Sequence, residues 1–272
     1  MEQSKENKIE QIIEQYGNYV YNYALRLCAH PDTAQDLSQD TFLQAWCKLD
    51  QLREEAYIKS WLRKICLNTY LMQIRSRNGK NEYLFDDLLE LEQAGEMLIS
   101  TSSVPEEEVL VEESIRELQN GCFLAMVRKL TLHQRIAFSL VDMFGISINE
   151  VSDLLEISHT AVKGLLYRAR MNLDSFFADH CTVIHVDNPC KCEAWMEFAR
   201  SKERNRLRAN QGKETAVDKP KEDMVESLDY RKTSYTFDTE VRSKVKFLYS
   251  QMPDRKPSQE WYDHVINIIK NK

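Results

Sequence analysis

The sequence predicts an all-α protein made of two small helical domains, an acidic connection between them and a helical C-terminal extension. Three observations carry this. Among 272 residues there are only seven glycines and six prolines. Apolar residues recur at helical spacing along most of the chain, and few stretches alternate with period two. Helix-opening pairs, a Ser, Thr or Asp followed three residues later by Glu or Gln, recur at the starts of these stretches.

Residues 6–29 form the first expected helix, with Ile9, Ile12, Ile13, Tyr16, Val20, Tyr23 and Leu27 on one face. Pro31 suits a first-turn position, and Asp32 with Gln35 resembles a capping box, so a second helix is expected over about 32–49. A third covers about 54–77. Between 85 and 118 eleven acids face a single base, Arg116, which marks an acidic linker. Thr131 with Gln134 opens a helix that Gly145 stops, and Ser147 with Glu150 opens a short one. After the turn at Glu156–Ser158, Ser158 caps a longer helix with Val162, Leu166, Ala169, Leu173 and Phe176 inward. Two helices joined this tightly form a helix-turn-helix candidate. A cysteine cluster follows, then a basic stretch at 194–213 and a polar linker at about 212–232. An amphipathic pair at about 238–251 and 258–270 closes the chain. The expected domains are therefore 1–84, 85–118 (linker), 119–178 and 179–272.

Composition restricts function. The polar N-terminus lacks an apolar targeting region, no apolar run approaches a membrane span, and seven scattered cysteines do not make a disulfide framework. A cytoplasmic protein without membrane insertion is expected. The net charge of −7 has the wrong sign for a protein that binds duplex DNA unaided.

Two stretches in the first half carry the sharpest signals. In "AQDLSQDTFLQAW", Ala34, Leu37, Thr41 and Ala45 form an inner stripe. Asp36, Gln39 and Asp40 lie outside it, with Phe42 and Trp46 nearby, as on a docking face whose carboxylates meet a partner's arginines. In "YIKSWLRKICLNTYLMQIRSR", Ile58, Leu62, Ile65, Thr69 and Met72 share one face, and Lys64, Asn68, Leu71 and Arg75 another. Bases, an amide and Trp61 together suit melted DNA: they neutralise phosphate, bond a base edge and offer an aromatic surface.

These stretches, taken with the helix-turn-helix, resemble the extracytoplasmic-function (ECF) sigma factors of bacterial RNA polymerase. "DLSQDTFLQAW" is similar to their region 2.2, "WLRKICLN" to regions 2.3 and 2.4, and "INEVSDLLEISHTAVKGLLYRAR" to region 4.2; the resemblance as a whole covers roughly residues 9–178. The resemblance implies a promoter-specificity subunit that is not an enzyme, with core RNA polymerase and promoter DNA as partners and room for an anti-sigma factor. It implies polymerase contacts at Asp36, Gln39, Asp40, Phe42 and Trp46. It implies −10 contacts at Trp61, Arg63, Asn68 and Arg75, and −35 contacts at Thr160, Lys163, Arg168 and Arg170. Two departures stand out: Met72 replaces a frequent Asp, and Val162-Lys163-Gly164-Leu165 replaces Val-Lys-Ser-Arg. A sigma subunit is carried to DNA by the polymerase, so the negative charge is tolerable. The alternative is a free-standing helix-turn-helix regulator with an effector-binding N-terminal domain.

"HCTVIHVDNPCKC", from His180 to Cys192, lies outside the resemblance. No cofactor is required, but Cys181, Cys190 and Cys192 with His180 or His185 could hold one structural zinc ion, four Cys or His ligands being the usual set. The Asp187-Asn188-Pro189 turn would fold the loop back on Cys181.

Overall fold

A computed structural model describes residues 2–52, 54–76, 109–188, 190, 192 and 236–270. Most of the acidic linker, the basic stretch at 194–213 and the polar linker at about 212–232 lie outside the described residues.

In chain order the helices are α1 (Glu2–Cys28), α2 (Pro31–Cys47), α3 (Ile58–Ser76), α4 (Val109–Lys129), α5 (Leu132–Phe138), α6 (Ile148–Leu155), α7 (His159–His180), α8 (Thr239–Ser250) and α9 (Gln259–Lys270). The described residues contain no named strand; an isolated bridge joins Cys181 to Cys190. None of the described helices is long and apolar enough to cross a membrane.

The chain divides into two compact units. The first comprises Met1–Leu84, Arg135–Val162 and Pro253–Lys272, and the second Phe85–Gln134 and Lys163–Met252. The extension is thus shared: α9 belongs to the first unit and α8 to the second.

In the first unit, α1, α2 and α3 pack around Ile9, Ile13, Val20, Phe42, Ala45, Leu62 and Ile65, all buried. Trp261, Val265 and Ile269 of α9, one turn apart, complete this core. Burying a large apolar side chain contributes roughly 1.5–3 kcal/mol, which is why so short a helix stays docked. Arg135 is almost wholly buried and donates to the Tyr70 hydroxyl at 2.6 Å.

Local chemistry sets several boundaries. α2 is capped by His30, whose Nδ1 accepts from the Thr33 amide at 3.4 Å, not by the expected Asp32–Gln35 pair. Pro31 takes the first helical position, which makes the residue before it the cap. The helix opened by Thr131 widens into a π-turn at Ser139–Met143 and ends at Gly145, whose φ of +68° glycine tolerates. Ser147 and Ser158 cap α6 and α7 through the Glu150 and Ala161 amides, as expected. Glu156 turns the chain between these helices at φ +56°, a conformation costly for a side-chain-bearing residue.

In the second unit, Phe123 of α4 stacks on Phe177 of α7 at 5.7 Å and packs against Tyr249 of α8 at 5.4 Å. Asp174, fully buried, accepts from Arg242 Nη1 at 2.9 Å, and Arg242 Nη2 donates to the Tyr249 hydroxyl at 2.7 Å. Lys244 Nζ donates to the Ile184 carbonyl at 2.9 Å. Of the apolar residues expected on α8 and its approach, Val241, Val245, Leu248 and Tyr249 are buried, whereas Phe237, just ahead of the helix, is exposed.

Candidate nucleic-acid and polymerase interface

The inner stripe of α2 is as expected: Ala34, Leu37, Thr41 and Ala45 are buried, and the Thr41 hydroxyl is spent on the Leu37 carbonyl. The outer residues divide. Asp36 is exposed, while Gln39 and Asp40 are half-buried, Asp40 accepting from Gln73 Nε2 at 2.8 Å. Phe42 is wholly buried, edge-on to Trp261 at 6.0 Å, so it does not face outward as expected. Trp46 is half-buried beneath Lys5, whose ammonium lies 5.1 Å from the ring centre.

On α3 the exposed residues include Lys59, Lys64, Asn68, Met72 and Arg75. Lys64, Asn68 and Arg75 therefore share an outward face as the spacing requires, but Met72 does not turn inward and is 66% exposed. At about 100° per residue Met72 falls at the edge of that stripe beside Asn68, and the buried arc of α3 instead widens to the other side through Cys66 and Tyr70. Trp61 is half-buried. Arg63 is engaged: it donates to the Tyr19 hydroxyl at 2.9 Å and pairs with Glu150 of α6. Ser60, Trp61 and Lys64 line a shallow cleft with Glu150, Asp153 and Leu154. Nothing in the spacing along α3 could have announced α6 as this neighbour.

The outward face of α7 carries Thr160, Lys163, Tyr167 and Arg168, all exposed, while Arg170 is half-buried. Tyr167, 62% exposed, is absent from the residues the sequence pattern singles out, although its position one turn beyond Lys163 places it on that face. Gly164 leaves room for a neighbour: a methyl group there would meet the Arg168 guanidinium at 3.6 Å, an ordinary contact.

The cysteine loop is built from backbone bonds. The Cys190 amide donates to the His180 carbonyl at 2.9 Å and the Thr182 amide to the Cys190 carbonyl at 3.2 Å. Asn188 Nδ2 closes the end of α7 by donating to the carbonyls of Ala178 and Cys181 at 2.8 and 2.9 Å, so the Asp-Asn-Pro turn does fold back. His180 is buried, stacked on Phe176 at 4.8 Å, with Nδ1 bonded to the Phe176 carbonyl at 2.8 Å. A carbonyl only accepts, so Nδ1 carries the proton and is unavailable to a metal. His185 is exposed. A cysteine distant in sequence, Cys122 of α4, joins the cluster: burial foremost, then the charges of Cys190, Cys181 and Cys192, push its thiol well above the ordinary range. Burial likewise raises the Cys181 thiol. Among the described residues no three His, Cys, Asp or Glu side chains are already set so as to hold a metal ion.

An acid-bearing helix beside a basic, amide-bearing one, followed by a helix-turn-helix, is the arrangement that the sequence resemblance to sigma factors implies. Comparison with known families agrees: the model of sigma-70 region 2 matches residues 12–80 and that of sigma-70 region 4 matches 120–173. The ECF RNA polymerase sigma factor SigM of Bacillus subtilis is 25% identical over 169 residues, covering 62% of this chain and 94% of its own length. The RNA polymerase sigma factor YlaC of the same organism is 29% identical over 167 residues, covering 61% and 90%. The ECF sigma factor SigW, also from Bacillus subtilis, is 26% identical over 161 residues, covering 58% and 83%. The chain carries sigma-70 regions 2 and 4 and is similar over them to ECF RNA polymerase sigma factors, and the reading as a free-standing regulator is not favoured.

Proposed function

We propose that this sigma factor docks on core RNA polymerase through the Asp36–Asp40 face of α2, opens and reads the −10 element with α3, and enters the −35 major groove with α7. The observation that best supports this reading is the sorting of α3: its buried stripe holds the bundle together, while Lys64, Asn68 and Arg75 remain on one outward face. Lysine and arginine there neutralise phosphate, and the Asn68 amide offers a donor and an acceptor to an extruded base. Lys163 and Arg168 do the same for duplex phosphates, with Thr160 and Tyr167 reaching from the same face. The chain performs no catalysis of its own and works in the cytoplasm. An anti-sigma factor remains a natural further partner.

In vitro transcription with purified core polymerase tests the reading. Asn68→Ala should reduce open-complex formation on duplex promoters, with partial recovery on a pre-melted template, whereas Lys163→Glu should weaken binding to both. Equal loss on both templates for Asn68→Ala would leave α3 a merely structural helix.

The reading extends to a structural zinc ion held by Cys122, Cys181, Cys190 and Cys192. Cys122 is offered as the fourth ligand because the three loop cysteines are its electrostatic neighbours; His180, with Nδ1–H on the Phe176 carbonyl and Nε2 left for a metal, stays the alternative that the sequence offers. Support comes from the loop that draws Cys181 and Cys190 together and from the Phe123–Phe177 stack, which brings the Cys122 region of α4 beside the end of α7. Four thiolates would close a tetrahedral site and tie α4 to the loop after the recognition helix.

A further inference from the structure

α9 lies antiparallel along α1, and a ladder of contacts fixes its register. Arg26 Nη2 donates to Asp254 at 2.8 Å. Asn22 exchanges two bonds with the backbone of Arg255, both 2.8 Å. Tyr262 sits over Gly17, and Lys270 pairs with Glu10 at 2.7 Å. From this track α9 leans onto α2: Trp261 packs on Phe42, its indole Nε1 donates to the Gln35 carbonyl at 3.5 Å, and His264 Nε2 lies 3.5 Å from Gln39 Nε2. Gln35, Gln39 and Phe42 form one stripe of α2, immediately beside Asp36 and Asp40; Phe42 is buried, Gln39 half-buried and the Gln35 side chain exposed.

We infer that α9 is a covering segment built into the chain: it occupies the Gln35–Gln39–Phe42 stripe, so that its docking and the docking of core polymerase exclude each other. This rests on the reading of α2 as the polymerase-docking face. Asp36 beside the stripe stays exposed for first encounter, while Phe42 at the end of the stripe is covered by the Trp261 indole. Release of α9 would expose Phe42, giving the docking face the aromatic that its sequence advertises and the closed chain hides. The segment competes with polymerase as a tethered ligand, so its effective concentration is high although it is only twelve residues long.

Gly17 provides a selective test. A methyl group at this position would run into the ring edge of Tyr262, which must move aside. In α1 itself alanine is the better helix former, so Gly17→Ala should leave the α1–α2–α3 bundle sound while loosening the seat of α9 on α1. Binding of the purified full-length chain to core polymerase, followed by fluorescence anisotropy, should tighten at least about tenfold in Gly17→Ala, since apparent affinity scales with the fraction of open molecules. Trp261→Ala, which removes the plug from the other side, should tighten it as well, and hydrogen exchange at the α9 amides should accelerate in both. Misfolding cannot imitate this result, because a damaged chain binds less. Unchanged or weaker binding by both variants, with exchange at α9 accelerated, would overturn the inference. Adding Asp36→Arg to Gly17→Ala separates the two layers of argument. Loss of binding on that addition upholds α2 as the docking face whatever α9 does; no loss would overturn the docking face and the inference with it.

Discussion

Removing the Arg242 guanidinium should unfasten α8 from the recognition helix, at a cost far above that of an ordinary ion pair. Arg242 Nη1 stands 2.9 Å from Oδ1 of Asp174, whose side chain is wholly buried, and the arginine side chain retains 15% exposure. Truncation of Arg242 would leave a carboxylate inside the unit with this charge partner gone. Breaking a buried pair from one side costs about 3–5 kcal/mol, and the arginine's remaining solvent edge argues for the lower figure, about 3 kcal/mol. The exposed Lys5–Asp50 pair, with Asp50 83% exposed, provides the contrast at about 0–1 kcal/mol. A chain of two units need not melt in a single step, so the measurement should be local. Native-state hydrogen exchange at the amides of Leu173 to Phe177 should show the loss in Arg242→Ala and little change in Lys5→Ala. Replacing both partners by apolar residues, Asp174→Leu with Arg242→Met, should recover most of it. If Arg242→Ala cost no more than Lys5→Ala, the claim that α8 is anchored through Asp174 would fail.

Asp36→Arg with Asp40→Arg should abolish pull-down of core polymerase, since removing one partner of a charge-assisted pair at such a face costs about 2–5 kcal/mol; undiminished pull-down would refute the docking assignment. Burial holds the Cys66 thiol up to about 12, against 9.0 for a free thiol. The folded state therefore favours the neutral thiol, so its contribution is complete below pH 9 and drains away as pH rises from 9 towards 12. The three-unit shift corresponds to at most about 4 kcal/mol, and Cys66→Val should flatten this alkaline loss in a melting series; an equally steep loss in the variant would exclude the thiol as its source. Protein purified without added metal should carry about one zinc per chain by elemental analysis, the content falling in Cys122→Ser as in Cys190→Ser, whereas metal-free protein that folds and transcribes normally would sink the zinc proposal. Glu150→Gln should free Arg63 and raise the affinity of the isolated chain for single-stranded −10 DNA, with a steeper salt dependence of about 0.7 log units per additional phosphate engaged; unchanged affinity and slope would mean that Arg63 takes no part.

Helices and caps were legible because they are local. The periodic apolar residues, Ser147, Ser158 and Gly145 each act within a few residues of themselves, and the last two helices fall within a residue or two of their expected limits. The failures share a different cause. Phe42 reads as an outward aromatic on α2 because its covering partner, Trp261, lies more than two hundred residues away. Arg63 reads as a free base because its acid sits on α6. Cys122 reads only as one scattered cysteine among several, and tertiary packing alone brings it near Cys181, Cys190 and Cys192. Local pattern also misplaced Met72, which lies at the edge of the expected stripe next to Asn68, because the buried arc of α3 is centred nearer Cys66 and Tyr70.

The negative charge of the chain acquires a structural meaning from these distant pairings. The proposed DNA-reading face needs cations, and α3 carries Lys64 and Arg75 on its outer side with the neutral Asn68 amide between them. Yet the acids of α6 meet the adjoining edge of that face, with Glu150 on Arg63 and Asp153 sharing the cleft beside Trp61 and Lys64. An ion pair of this kind, half screened by water, contributes little stability but sets which partner the arginine prefers at a given moment. A phosphate can displace Glu150 only where the DNA strand is already concentrated nearby, as it is on polymerase, and not from dilute solution. The same logic applies to α9 on α2: a contact strong enough to hold in the free chain gives way to a larger surface that offers more. On the proposed reading, charge and cover would act in one direction, holding the isolated subunit off DNA until the polymerase has bound.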